Sequence, residues 1–270
     1  VSTTPAIPDA VRRVFADAFR VADLAEPLAS FDESTLAAEV GRFLDGNGFD
    51  VVGVRRGGHV WGYVGHPLPE AGPCGAAAVP LDRAAVLADT APLTAAVAAL
   101  AAAPQAFVTA LGRVAGIVTR ADLLKPAVRM WLFGAVTLVE LRYAQLIDRY
   151  YPDGAWRQHL SAGRLEKAEQ LLAERRRRRQ DLTLLDCLQL SDKGHLIARD
   201  ERLRRHTVFP SRGKAEDGVK MLEGLRNSLA HAQDIVACDW EAVVRLSDQL
   251  ERLLAGDVVL PPVPAPGAGP

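Results

Sequence analysis

The stretch Ala106-Phe107-Val108-Thr109-Ala110-Leu111-Gly112-Arg113-Val114-Ala115-Gly116-Ile117-Val118-Thr119-Arg120-Ala121-Asp122 decides the fold of the first half of this chain. Ala106–Ala110 and Val114–Val118 read as two short strands, and Leu111-Gly112-Arg113 between them reads as a turn. Upstream, Leu93, Val97 and Leu100 recur at helical spacing, so a helix leads into the hairpin. The same unit occurs earlier. There Leu36, Val40, Phe43 and Leu44 mark a helix face with Asp32 or Ser34 as its cap. Asp50–Val54, a turn at Arg55–Gly58, and Val60–Val64 form its hairpin. A Pro/Gly/Ala-rich stretch, Pro67–Pro80, separates the copies. Two such units are weak singly and predict one core made by pairing their sheets.

Composition bounds the rest. A chain of 270 residues, 49% hydrophobic and 24% charged, has room for two compact domains. A net charge of −1 gives no global pull toward nucleic acid or membrane. Three separated cysteines, Cys74, Cys187 and Cys238, form neither a disulfide framework nor a zinc knuckle, which suits a reducing cytoplasm. No basic-then-apolar leader opens the sequence. The Ala-rich run Ala95–Ala103 is too short to cross a bilayer and is broken by Pro104. The bias toward Arg over Lys and toward Ala reads as genomic, of a bacterial kind. Residues 1–8 read as a loose lead, followed by a short helix with Val11, Val14, Phe15 and Phe19 on one side.

The end of the opening stretch carries chemistry. Gly116-Ile117-Val118-Thr119-Arg120-Ala121-Asp122 is similar to the G-h-h-T/S-x-x-D signature of CBS domains, the cystathionine β-synthase type, and residues 20–125 resemble a tandem pair of them (about 20–66 and 80–125). That resemblance implies an adenine nucleotide, AMP or ATP, as a regulatory ligand. Thr119 would contact a phosphate, Asp122 would hold the ribose hydroxyls, Gly116 belongs to the same motif, and Arg120 could add charge. The residue types suit this, since a carboxylate accepts from a diol and a hydroxyl at a strand-to-helix junction joins backbone N–H groups around phosphate. The alternative is that Thr119 caps the following helix, with Asp122 favourable in its first turn. The first copy has Gly65-His66-Pro67-Leu68 in place of hydroxyl and carboxylate, so one ligand site is expected, and His66 reads as a loop residue.

From Lys125-Pro126, the expected junction, β signals vanish. Residues 127–150 read as a long helix with Val128, Trp131, Leu132, Ala135, Leu138, Val139 and Leu146 apolar. Glu140 lies within it, either as a plain surface charge or as the partner of a functional Arg. A second helix begins near Ser161, carries Leu165, Ala168, Leu171 and Leu172, and ends in Arg175–Arg179. Five consecutive arginines circle a helix, so they favour a solvated helix end over a phosphate-binding face. Leu182–Leu190 reads as a short apolar helix. His195 and His206 have no companion at metal spacing, so no metal site is expected. Ser211 caps a key helix with Val219, Leu222, Leu225 and Leu229 as its inner stripe. A last helix, about Trp240–Leu254, turns Val243, Val244, Leu250 and Leu253 inward. The proline-rich end, 258–270, cannot form a core.

The key helix ends in Leu225-Arg226-Asn227-Ser228-Leu229-Ala230-His231. Arg226-Asn227-x-x-x-His231 on a helical domain (126–257) resembles the R-x4–6-H signature of the HEPN superfamily. The expected architecture is therefore an α+β CBS pair followed by an all-α HEPN-like bundle. Catalytic HEPN members are metal-independent endoribonucleases that act as dimers, and sensor–HEPN fusions occur in bacterial defence and toxin systems. The residues suit the reaction. His moves protons near neutrality, Arg offers a planar fork to a phosphorane, and Asn227 can orient the His or donate to phosphate. An ideal helix places Arg226 and His231 roughly 140° apart, so either the helix distorts near Ala230 or two copies meet across a two-fold axis. The expectation is a cytoplasmic homodimeric ribonuclease governed by an adenine nucleotide, with RNA as substrate and no catalytic cofactor. Its rivals are a non-catalytic regulator that dimerises and binds an unknown protein partner, and an RNA-binding module using Arg175–Arg179.

Overall fold

The computed structural model describes Phe15, residues 18–231 and residues 233–255. Val11, Val14 and the 258–270 tail lie outside them. The chain divides into two compact units. One is Asp17–Val128; the other joins Arg129–Pro270 to Val1–Ala16. The division falls three residues beyond the junction expected at Lys125-Pro126. The lead expected at residues 1–8 lies outside the described residues.

The first unit contains eight strands among the described residues: β1 (Glu26–Pro27), β2 (Ser30–Asp32), β3 (Val51–Arg56), β4 (His59–Gly65), β5 (Val79–Pro80), β6 (Val86–Ala88), β7 (Gln105–Ala110) and β8 (Arg113–Thr119). Two helices, α1 (Ala37–Asn47) and α2 (Leu93–Ala102), complete it. The sheets run β2-β3-β4-β5 and β1-β8-β7-β6. In each, the short strand before the helix pairs in parallel with the first hairpin strand, Phe31 opposite Val54 and Leu87 opposite Val108.

The outer strands are exchanged. β1, at the start of the first copy, pairs with β8 of the second, and β5, at the start of the second copy, pairs with β4 of the first. Each copy thus completes the other's sheet, which binds the repeats into one folding unit. Two glycines, one per hairpin, permit the crossing. A Cβ on Gly62 would lie 2.8 Å from the Val79 carbonyl oxygen, and one on Gly116 would lie 3.2 Å from that of Glu26. Val40, Leu44, Val52, Val54 and Val64 form one core. Leu93, Val97, Leu100, Phe107 and Val118 are buried in the second copy, and the Tyr63 and Phe107 rings meet at 4.8 Å.

Neither Asp32 nor Ser34 caps α1. Its N-cap is Leu36, which makes no side-chain bond and stands exposed. Asp32 is engaged instead with Arg55. The Pro/Gly-rich separator supplies the missing acceptor: Ala37 N–H donates to the Gly72 carbonyl at 2.9 Å, and Cys74 N–H to that of Thr35 at 2.7 Å. That segment is therefore part of the fold.

The helical unit comprises α3 (Pro126–Tyr150, which begins three residues before the division), α4 (Ala162–Arg177), α5 (Leu190–Arg199), α6 (Glu201–Arg204), α7 (Arg212–Ala230) and α8 (Ile235–Ala255). All seven apolar residues expected inside α3 are buried. By length and composition α3 could cross a membrane, but 67% of its apolar window is buried within the protein, as in a core helix. Glu140 is neither a plain surface charge nor an arginine partner; it accepts from the buried Lys193 at 2.8 Å. Leu182–Leu190 is not a helix. Asp186 takes both the Thr183 N–H and hydroxyl, at 2.8 and 2.7 Å, and these local bonds favour a turn over helical bonding. Helix α5 starts only at Leu190, behind the Gln189 cap, so His195 rides on a helix. Ser211 caps α7, accepting from Lys214 N–H at 3.4 Å, and Val219, Leu222, Leu225 and Leu229 are buried as expected. α8 begins five residues earlier than Trp240 and buries Val243 and Leu250, with Val244 half-buried.

Candidate functional site

In the first unit, β8 ends at Thr119 and the chain enters a single 3-10 turn, Arg120–Leu124. The Asp122 carboxylate folds back over that start. Its Oδ2 accepts from Thr119 N–H at 2.7 Å and from the Thr119 hydroxyl at 3.0 Å. Its Oδ1 pairs with Lys125 Nζ at 3.0 Å. Lys125 also donates to the Leu24 carbonyl at 2.5 Å and to Glu26. Burial alone would lower the Lys125 pKa, but bonds to Glu26 and Asp122 outweigh it and hold the ammonium above its ordinary value. Thr119 and Asp122 thus form a capping box at the start of the turn.

Gly116 lies buried beneath β1, where an added Cβ would crowd the Glu26 carbonyl oxygen. Arg120 donates twice to the Leu100 carbonyl, at 3.1 and 3.0 Å, near the C-terminal end of α2. A pocket of about 360 Å³ opens here, lined by Thr119, Arg120, Ala121, the Ala102–Pro104 connection and Asp50. A carboxylate oxygen has two acceptor positions. Those of Oδ2 are filled and Oδ1 keeps one, and the buried Asp122 does not itself line the pocket, so holding a ribose diol requires it to release a present partner. The residues fit a nucleotide in kind, with that exchange required. His66 pairs with Asp45 at 3.1 Å.

In the helical unit, α7 presents Arg226 and Asn227 on its exposed side, and His231, also exposed, is its C-cap. The helix ends at Ala230, with His231 at φ −101° and ψ 12°, so the ideal 140° separation does not apply to His231. Among the described residues none of the three side chains makes a hydrogen bond or ion pair. Sequence reasoning missed Arg129. From the first turn of α3 its guanidinium donates to the carbonyls of Gln233 at 2.9 Å, Ser228 at 3.1 Å and Leu229 at 3.3 Å. It closes the C-terminal end of α7 beside His231, where a cation meets the negative helix terminus. Nothing local marks it, because its partners lie about a hundred residues away. Of the Arg175–Arg179 run, Arg176–Arg179 are exposed, with Arg178 paired to Glu174. No group of metal-ligating side chains gathers among the described residues.

No family model and no curated protein matches this chain. The solved structures that resemble it match its N-terminal part and are CBS-domain pairs. The CBS-pair protein CBSX2 from Arabidopsis thaliana is 18% identical and covers 42% of this chain and 96% of its own, with a TM-score of 0.36; CBSX2 is also known in complex with AMP. A CBS domain protein from Pyrobaculum aerophilum, complexed with AMP, is 19% identical over 42% of this chain and 96% of its own, TM-score 0.35. The CBS domain of a bacterial CNNM/CorC family Mg2+ transporter, in complex with ATP, is 13% identical over 43% and 92%, TM-score 0.35.

Proposed function

We propose that the chain is a cytoplasmic, adenine-nucleotide-responsive endoribonuclease of HEPN type that works as a homodimer. The observation that carries this reading is the end of α7, where Arg226, Asn227 and His231 stand exposed with no side-chain hydrogen bond or ion pair among the described residues. Arg and His left in that condition are available to a phosphodiester. His231 takes the 2′-OH proton or supplies one to the leaving oxygen, Arg226 holds the phosphorane oxygens, and Asn227 orients the His.

Control runs through the chain itself. A nucleotide whose ribose engages Asp122 competes with Lys125, the residue before Pro126. Pro126 opens α3, and one turn on Arg129 grips the end of α7. The ligand acts only insofar as it binds one arrangement better than the other. A second reading has its own observation: Met130, Phe133 and Leu141 leave exposed apolar side chains on α3, as a non-catalytic dimerising regulator would need.

The test compares wild type with Arg226→Ala/His231→Ala on mixed RNA in EDTA, with and without AMP or ATP. Cleavage by wild type alone, leaving 2′,3′-cyclic phosphate ends, is expected. The nucleotide effect should vanish in Asp122→Asn. Equal cleavage by both proteins, or none, removes the enzyme reading; no cleavage with a nucleotide-dependent change of oligomeric state favours the regulator.

A further inference from the structure

A second basic feature of the helical unit is independent of the Arg226/His231 end. The turn Ala155–His159, the start of α4 and one face of α5 enclose a cleft of about 370 Å³, near the lower size of small-molecule sites. His159, Ser161, Arg164, His195 and Arg199 line it, and among the described residues no carboxylate does. We propose that this cleft is an oxyanion site that takes the phosphate group of a phosphorylated ligand.

Each lining group is held for that task. Arg164 is aimed by Asp192, at 2.8 Å, and Asp192 is itself buried and bonded to Gln189 N–H at 3.2 Å. Arg199 approaches only His195, Nη1 to Nε2 at 3.5 Å, and pairs with no carboxylate. The nearby Asp200 is taken by the Tyr151 hydroxyl at 2.6 Å and by Arg202 at 2.7 Å. Asp200 and Glu201 lie beside Arg199 in the adjoining pocket, each paired with another arginine, so among the described residues Arg199 keeps no carboxylate of its own, an arrangement an anion relieves. His159 is set edge-on to Tyr151, ring centroids 5.8 Å apart.

Ser161 is the N-cap of the sixteen-residue α4, yet its hydroxyl makes no capping bond. That end of the helix keeps donors facing outward with a partial positive charge. Burial first, then Arg199 and Arg164, hold the His195 pKa below its ordinary value. Glu216 pulls the other way, as would an anion bound beside the guanidiniums. Two guanidinium forks and a helix N-terminus match a phosphate, with several oxygens to share, better than a single carboxylate.

The experiment is NMR of the full chain with labelled histidines, titrated with inorganic phosphate and pyrophosphate at constant ionic strength. His159→Gln and His195→Gln assign the two signals. Saturable shifts of both are expected in wild type. Arg199→Gln should weaken binding about ten-fold or more, whereas Arg205→Gln, which touches Glu201 outside the cleft lining, should not. Ser161→Asp suits the helix start, where a carboxylate is favourable, but places that charge where the anion would sit, and should abolish binding even if the Arg199 variant folds poorly. A nucleoside monophosphate and an oligoribonucleotide without terminal phosphates form the last arm. Shifts with the first alone identify a terminal phosphate, and shifts with the second identify a strand backbone. Shifts that never saturate, or that are equal in the Arg199 and Arg205 variants, overturn the proposal.

Discussion

Leu111 and Gly112 make the two-residue turn between β7 and β8, with φ of 51° and 75°. The equivalent turn in the first hairpin is Gly57-Gly58, at 56° and 79°. Both are turns of the left-handed kind that suits hairpin twist, where Asn-Gly is favoured. Leu111 gains nothing in return for its strain, since its side chain is fully exposed. Leu111→Asn should therefore stabilise the first unit by about 1 kcal/mol, read as a higher urea midpoint; a lower midpoint would mean that Leu111 makes contacts not visible in the isolated chain. Asp200 shows the opposite economy. Burial alone would raise its pKa, but bonds from the Arg202 side chain, the Tyr151 hydroxyl and the Arg202 N–H lower it to about 2. With the folded value below the unfolded one, the stabilisation is present above pH 4 and lost as pH falls toward 2. Asp200→Asn should cost about 2 kcal/mol at pH 6 and almost nothing at pH 2, so the urea midpoints of the two proteins should converge on acidification. A constant gap would mean the loss is of packing alone.

Two helix glycines make the next scale testable. Gly194 in α5 lies against α7, where an added Cβ would fall 2.3 Å from Val219 Cγ1. Gly46 in α1 has nothing within 4 Å. Helix propensity alone favours alanine at both by up to about 1 kcal/mol. Packing reverses the sign at one: Gly194→Ala should destabilise by about 1–3 kcal/mol, while Gly46→Ala should stabilise. Thermal unfolding of both variants checks this, and a stabilised Gly194→Ala would mean that α5 and α7 do not pack so closely. The same contrast explains what was legible in the sequence. The hairpins, α2, α3 and α7 could be read because their apolar residues recur over several turns or pleats. β1, β2, β5 and β6 are two or three residues long, too short for a period, and exist because partners distant in sequence complete their hydrogen bonds. Leu184, Leu185, Cys187 and Leu188 are buried, yet in a turn, because burial and helix share one composition and the Thr183/Asp186 bonds decide between them. At the candidate sites, the motif residues were legible in type. Their state was not: the Asp122–Lys125 pair is local but its tie to Glu26 is not, and Arg129 bonds backbone carbonyls that carry no side-chain signature.

For the whole molecule the decisive question is whether one chain holds a complete site. Arg226 lies within α7 and His231 beyond its last residue, and neither has a side-chain partner among the described residues. Under the proposed function, two copies supply a shared site, Arg226 from one and His231 from the other, and this can be tested by mixing subunits. Arg226→Ala and His231→Ala should each be inactive alone. A mixed dimer of the two has one site lacking both residues and one site with both intact. Random assortment makes half of all dimers mixed, so unfolding and refolding an equal mixture should restore about a quarter of wild-type RNA cleavage. If each protomer instead builds its site alone, every site in the mixture lacks one residue and no activity returns. The two outcomes separate a shared site from a private one without requiring either variant to change the fold. Activity retained in either single variant would remove that residue from the proposed chemistry.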